Sequence, residues 1–222
     1  MFLEDFNSYT PSGTDINGGS GGSGFSGNWS GSGGILSDSS VVYGGAFSAK
    51  ATSAGLGGNS YERPLTTALS GSGILVYGAL RRDSSSSGEL RVNLRTASGD
   101  NDAVTIKMNA SGQIVIGSSS PVVVGTYAIN SWYAFRLTID TGGSGSYTAA
   151  ISADPFGTSG TWGTESASKA FQNAGSLGFL LLDFGSSAGT GVTNYWDEIG
   201  TTSPFTSAPV FTPRRALMGV GL

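Results

Sequence analysis

The sequence predicts an all-β protein in which two antiparallel sheets stack face to face. Apolar runs of strand length recur along nearly all of its 222 residues, separated by Gly, Ser, Asn and Asp. No window shows a sustained 3.6-residue period, and only residues 164–175 could form a short helical turn. Aromatic residues make up 10% of the chain and charged residues only 12%, which argues against disorder, so the 37 glycines are expected in turns.

The strand candidates can be followed in order along the chain. Two short ones fall within 33–52, and the next, 71–83, is apolar on both faces, which is typical of a buried central strand. Residues 89–98 alternate instead, so that Arg91, Asn93 and Arg95 share a face that is expected to be solvated. Further candidates lie in 103–119, 132–141, 142–155, 176–187 and 194–202.

Together these segments give roughly twelve to fourteen strands, enough for two sheets. No break in composition marks a domain boundary before residue 203. We therefore predict one domain over 1–202 and an extension over 203–222. The residues predicted for the core are Tyr77, Phe135, Leu137, Ile139, Leu180, Leu182 and Ile199.

Composition and charge exclude several classes of function. The net charge is -4, and the 11 Lys and Arg residues form no basic stripe, so no nucleic-acid partner is expected. No apolar stretch is long enough to span a membrane. Cys and His are both absent, which removes disulfides, thiolate metal sites and the usual general base near neutral pH.

The N-terminus does not read as a secretion signal. Glu4 and Asp5 stand where a signal peptide would need positive charge followed by a long apolar run. The chain is therefore expected to be made in a host cytoplasm. If a leader has been removed, an extracellular or cell-surface location is the alternative.

Three motifs in order support a family resemblance. They are Glu4-Asp5-Phe6 with Tyr9 and then Phe25-Ser26-Gly27-Asn28-Trp29, the strand entry GTYAINSWYAFRLTID (125–140), and the closing strand NYWDEIG (194–200). With these the chain resembles the Gly-rich members of the concanavalin A-like, laminin-G-like superfamily over about residues 2–202. The resemblance implies a two-sheet antiparallel jelly roll.

The Gly-rich run NGGSGGSGFSGNWSGSGG (17–34) looks at first like a flexible linker, yet it contains Phe25 and Trp29. In a jelly roll these rings would fix an irregular loop to the edge of the sandwich, with glycines permitting positive φ and close backbone approach. A disordered segment is the alternative.

No catalytic residues are assigned, and the protein is predicted not to be an enzyme. Many relatives are glycosidases whose catalytic strand carries Glu-x-Asp-x-x-Glu, a spacing that is absent here. Asp197 and Glu198 are neighbours, so on a strand they should point to opposite faces, as should Glu4 and Asp5. A carboxylate pair assembled from different strands is the alternative.

Two loops carry candidate binding residues. Asp100, Asn101 and Asp102 form an oxygen-rich cluster that suits calcium, although the same residues are favoured in a polar hairpin turn. No other cofactor is expected. Trp162 lies in a Gly- and Thr-rich loop and could stack on a sugar ring, as in lectin-like relatives, or serve as a packing anchor.

The extension 203–222 is predicted to be an assembly arm. Its prolines favour an extended path, and its apolar end needs a partner surface. The arm residues are Arg214, Arg215, Leu217, Met218, Val220 and Leu222. Folding back onto its own sheet is the alternative.

These observations favour a non-enzymatic structural protein of a phage virion, such as a capsid decoration protein or another head or tail appendage. Its partners would be other virion subunits, or copies of itself in a homo-oligomer. A carbohydrate-binding, lectin-like module with a glycan partner is the alternative.

Overall fold

The protein is described here by a computed structural model, which covers residues 1–52, 58–84, 88–99, 101–152, 161–185 and 192–201. Within these ranges the chain forms fifteen strands and no helix, and therefore no helix that is long and apolar enough to cross a membrane. The strands are β1 (Leu3–Glu4), β2 (Ser30–Ser32), β3 (Ile35–Asp38), β4 (Ser48–Thr52), β5 (Asn59–Leu69), β6 (Ile74–Arg82), β7 (Leu90–Arg95), β8 (Asp102–Met108), β9 (Gln113–Ile116), β10 (Val122–Thr126), β11 (Trp132–Asp140), β12 (Ser146–Ile151), β13 (Lys169–Ala170), β14 (Leu177–Phe184) and β15 (Thr193–Gly200).

The strands form two antiparallel sheets. An eight-stranded sheet has the order β13-β12-β11-β6-β15-β4-β3, with β1 added beside β15, and a seven-stranded sheet has the order β10-β9-β8-β7-β14-β5-β2. The chain passes repeatedly from one sheet to the other, for example between β5 and β6 and between β14 and β15. Such crossings join two sheets into one sandwich. The predicted two-sheet antiparallel jelly roll is confirmed.

The space between the sheets holds one continuous apolar core. Six of the predicted core residues lie in it: Phe135, Leu137, Ile139, Leu180, Leu182 and Ile199. Tyr77 is buried but does not belong to this cluster. Its strand alternates, with Val76 and Leu80 facing the core, so Tyr77 points to the outer face of the eight-stranded sheet.

The Gly-rich segment is ordered, and its two aromatic rings anchor it. Trp29 is 1% exposed and lies in the core cluster, against which Phe25 also packs. The Trp29 indole donates a hydrogen bond to Glu4 Oε2 at 3.0 Å, and Arg63 Nη1 forms a salt bridge with the same oxygen at 2.7 Å. Gly24 has φ 79°, a conformation that favours glycine, where the segment passes the N-terminus.

The short helical turn that residues 164–175 could have formed is absent. The chain there runs extended beside β12, since Ser166 N donates to Ala149 O at 2.8 Å and β13 pairs with β12. The open edge of β12 offers the backbone groups of this segment partners that a single helical turn could not match.

Candidate functional site

Trp162 lies on an extended edge segment that borders β12. It forms an isolated bridge with Ser152, and Gly163 N donates to Ile151 O at 2.8 Å. Ser166 also binds the strand through its side chain, because Ser166 Oγ accepts a hydrogen bond from Ala149 N at 3.0 Å. The segment from 161 to 166 thus has a fixed register against the eight-stranded sheet.

The Trp162 ring packs on the outer face of this sheet. Its centroid is 5.9 Å from that of Tyr77, with 42° between the planes, and the Arg136 guanidinium carbon lies 5.2 Å from it. Arg136 is paired in register with Tyr77 on one side and with Ala150 on the other. The small Ala150 side chain leaves space for the indole to reach across the strands. Trp162 nevertheless stays partly exposed.

Glu165 binds the polar side chains beside this ring. It pairs with Arg136 Nη2 and accepts hydrogen bonds from Thr148 Oγ1 at 2.7 Å and Thr138 Oγ1 at 3.5 Å. Burial alone would raise the pKa of Glu165, but the hydrogen bonds from Thr148 and Arg136 and the arginine charge outweigh it and lower the pKa. The carboxylate is therefore ionised at neutral pH and held in one orientation.

We name Trp162, Tyr77, Arg136, Glu165, Thr138 and Thr148 the Trp162 patch. It combines a flat apolar ring with fixed hydrogen-bonding groups beside it. A sugar has the complementary surface, since its C–H groups form an apolar face and its hydroxyls project at the rim. An apolar platform with a few placed polar groups is typical of small-molecule sites.

A second group of interest is acidic and lies at the end of β15. Asp197 is fully buried and accepts hydrogen bonds from Tyr43 N at 2.9 Å and Gly44 N at 3.0 Å. Glu198 lies close to the same glycine. Any side chain at position 44 would place its Cβ only 2.7 Å from Glu198 Oε1. The prediction that these two carboxylates point to opposite faces is therefore wrong. Register shifts between Asp197 and Gly200, and Glu198 has φ 50°, so simple alternation fails there.

The predicted calcium cluster is described only in part, because Asp100 lies outside the described residues. Asn101 Nδ2 donates to Ser98 O at 3.0 Å, as in a turn, and Asp102 Oδ1 pairs with Arg95 Nε at 2.5 Å. Within the described ranges, no three His, Cys, Asp or Glu side chains come together as a metal site would need. Calcium binding at 100–102 stays a prediction.

The arm residues, Arg214, Arg215, Leu217, Met218, Val220 and Leu222, all lie outside the described residues. The docking role of residues 203–222 therefore stays a prediction.

Sequence reasoning missed a buried polar residue on β7. Arg91, Asn93 and Arg95 do share the outer face of the seven-stranded sheet, because Leu90, Val92 and Leu94 lie in the core. That face is not simply solvated, however, since Asn93 is 0% exposed. Its neighbours across the strands, Leu181 and Thr105, are also buried, and only a known strand order would have identified them.

No protein-family model matches this chain. No curated protein matches it either.

Several solved structures resemble the fold. The beta-glucanase of Bacillus licheniformis is 14% identical, with a TM-score of 0.47, and the match covers 89% of this chain and 95% of that one. A legume lectin-like domain from Entamoeba histolytica is 11% identical, with a TM-score of 0.44 and coverage of 78% and 88%.

The botulinum neurotoxin serotype G binding domain is 9% identical, with a TM-score of 0.49, over 80% of this chain. The present chain spans only 42% and 43% of the two neurotoxin domains it matches. At such identities and TM-scores the likenesses say nothing of the ligand or activity of this chain. The absence of enzyme activity stays a prediction.

Proposed function

We propose that this protein is a carbohydrate-binding module that contacts its glycan through the Trp162 patch. The observation that carries the proposal is the Trp162 ring itself, which is partly exposed and held by Tyr77 at 5.9 Å and Arg136 at 5.2 Å. A ring fixed in this way loses little conformational freedom when a ligand stacks on it.

Orientation and specificity would come from the polar part of the patch. A carboxylate can accept about four hydrogen bonds, so Glu165 retains capacity beyond its bonds to Arg136, Thr148 and Thr138. A sugar hydroxyl at the edge of the indole can donate to Glu165 and accept from an arginine N–H. The ionised, pre-oriented carboxylate makes such a bond stronger than one between neutral groups.

Replacing Trp162 with alanine tests this proposal. A glycan array first identifies a ligand of the unaltered protein, and calorimetry then measures its affinity for each variant. An aromatic contact is worth about 0.5–1.5 kcal/mol beyond buried area, so Trp162→Ala should weaken binding by about tenfold or more. Trp162→Phe should retain part of the affinity.

Val123→Ala is the matched control. Val123 is 51% exposed on β10, at an edge of the other sheet, so its truncation removes exposed apolar surface without touching the patch. Its glycan affinity should equal that of the unaltered protein. Full binding by Trp162→Ala, or an unaltered protein that binds no glycan on the array, would contradict the proposal.

A role in a phage virion is compatible with this proposal. A head or tail appendage that binds a host glycan would use the Trp162 patch for recognition and residues 203–222 for attachment. Because those residues lie outside the described ranges, the virion role and the virion location stay predictions. Deleting residues 203–222 tests the attachment role.

A further inference from the structure

A small cavity opens between the two sheets beside β13. It has a volume of about 130 Å³, and its wall comes from β8, β12, β13 and the turn that follows β9. A cavity of about 150 Å³ holds a benzene molecule, so this one has room for a small ion or molecule. None of the residues of the Trp162 patch lines it, and it is therefore a separate feature of the molecule.

Lys169 supplies a positive charge to this cavity. Its Nζ donates hydrogen bonds to the backbone carbonyls of Ser119 at 2.7 Å and Ser120 at 3.1 Å. The other two lysines of the chain, Lys50 and Lys107, each pair with a carboxylate at 2.9 Å. Lys169 has no carboxylate partner among the described residues. The two carbonyls hold the ammonium group in place, but its charge is not cancelled and its third N–H donor stays available.

The backbone carbonyls in the wall of the cavity already have partners. Ala103 O accepts a hydrogen bond from Gln172 N at 3.2 Å. Thr105 O accepts one from Gly117 N at 3.0 Å and another from the Tyr147 hydroxyl at 3.2 Å. A carbonyl oxygen has two lone pairs, so Thr105 O is fully used. These acceptors are therefore engaged before any ligand binds.

Hydrogen-bond donors, by contrast, remain available along the wall. The Ser119 hydroxyl and the Gln172 side-chain amide both line the cavity, and neither makes a hydrogen bond with the described part of the chain. The hydroxyls of Ser118 and Thr105 share one hydrogen bond at 3.2 Å. Together with the third N–H of Lys169, the hydroxyls and the amide can surround a ligand that accepts hydrogen bonds from several sides.

We propose that this cavity binds a small oxyanion, that is, a carboxylate, sulfate or phosphate group. Such a group supplies the negative charge that Lys169 lacks and accepts the hydrogen bonds that the wall can donate. The carboxylate of Asp102, next to Ala103 in the chain, pairs with Arg95 at 2.5 Å and so does not neutralise Lys169. A cation would be repelled by the lysine, and a neutral ligand would leave its charge unbalanced. The proposal does not rest on glycan binding.

Nuclear magnetic resonance of the full-length protein tests this site. The probes are sodium acetate, sodium sulfate and sodium phosphate, at an ionic strength kept constant with sodium chloride. The backbone amide signal of Ser119 should shift in a saturable way as each probe is added. Sulfate and phosphate should bind more tightly than acetate, because at about pH 7 they carry more negative charge.

Replacing Lys169 measures the contribution of its charge. Lys169→Gln can still donate to the two backbone carbonyls but has no charge, so it should weaken binding of the probes by about tenfold or more. Lys169→Arg keeps the charge and should retain binding. Lys50→Gln is the matched control, because it removes the same charge from β4, where Lys50 pairs with Asp38. Its affinity for the probes should equal that of the unaltered protein.

A second variant keeps Lys169 and fills its site. Ser118→Asp places a carboxylate in the wall of the cavity, where it can pair with Lys169, so the probes should no longer bind. Ser111→Asp adds the same charge at the exposed turn between β8 and β9 and should leave binding unchanged, as should Trp162→Ala. The proposal is wrong if no probe shifts the Ser119 signal saturably, if Lys169→Gln and Lys50→Gln weaken binding equally, or if Ser118→Asp binds the probes normally.

Discussion

At the residue scale, Glu198 combines an unusual backbone with an unusual side chain. Its φ of 50° lies in a region that non-glycine residues seldom adopt. Burial, and after it the negative charge of Asp5, raise the pKa of Glu198 from 4.5 to about 7. Asp197 beside it is also held at a raised pKa, chiefly by burial and despite the hydrogen bond from Gly44 N. Burial therefore disfavours the ionised forms of both Asp197 and Glu198 in the folded protein.

Glu198 should therefore make stability fall as pH rises. The folded state binds the proton more tightly than the unfolded state, so its stabilising contribution is complete below about pH 4.5 and is lost as the pH rises to about 7. Glu198→Gln cannot ionise and should flatten the dependence of the unfolding free energy on pH across this window. Urea unfolding at a series of pH values measures both slopes.

Glu165→Gln is the control for this experiment. The pKa of Glu165 is lowered, so its contribution changes only at more acidic pH, and its variant should keep the slope of the unaltered protein between pH 4.5 and 7. An unchanged slope in Glu198→Gln would show that other groups cause the dependence.

At the scale of the element, the N-terminal segment depends on one buried ion pair. Glu4 is fully buried on β1, and Arg63 reaches it from β5 in the opposite sheet. The Arg63 guanidinium also lies 4.1 Å from the Phe25 ring centroid. One arginine thus connects β1, the Gly-rich segment and the seven-stranded sheet.

Replacing Arg63 with methionine should destabilise the protein strongly. Burial already raises the pKa of Glu4, and the Arg63 charge opposes that rise, so its loss leaves an uncompensated buried carboxylate. Removing one partner of a buried pair costs about 3–5 kcal/mol. Urea unfolding measures the loss, and the double variant Glu4→Leu with Arg63→Met should recover part of it. A loss below about 1 kcal/mol would place this pair with surface salt bridges instead.

The sequence predicted the strands better than it predicted the contacts between them. Alternation correctly assigned the inward face of β11, because strand side chains alternate whatever the partner strand. The sequence predicted Trp162 as a contact residue but not its neighbours in the Trp162 patch. Arg136 and Glu165 are far apart in the sequence, and only the order of the strands brings them together. The burial of Asn93 was missed because it depends on its neighbours in β14 and β8. Strand β14 is distant in sequence, and the register of β8 against β7 cannot be read from the sequence.

At the scale of the whole molecule, the first strand pairs with the last described strand. β1 pairs with β15 through Leu3 and Gly200, and Thr201 N donates to Phe2 O at 2.8 Å. Phe2 N in turn donates to Thr201 Oγ1 at 2.9 Å. The core cluster extends from Phe2 to Ile199.

Deleting residues 203–222 should leave this sandwich folded. The truncated protein keeps the β1–β15 pairing and the whole described core, so its urea unfolding should stay cooperative, with a midpoint close to that of the full chain. Glycan binding through Trp162 should also persist. If the extension is an assembly arm, the truncated protein should fail to join its particle or oligomer, which sedimentation measures. Loss of the cooperative transition would instead make 203–222 part of the core, since a segment that packs between or against the sheets cannot be removed without exposing their apolar surface.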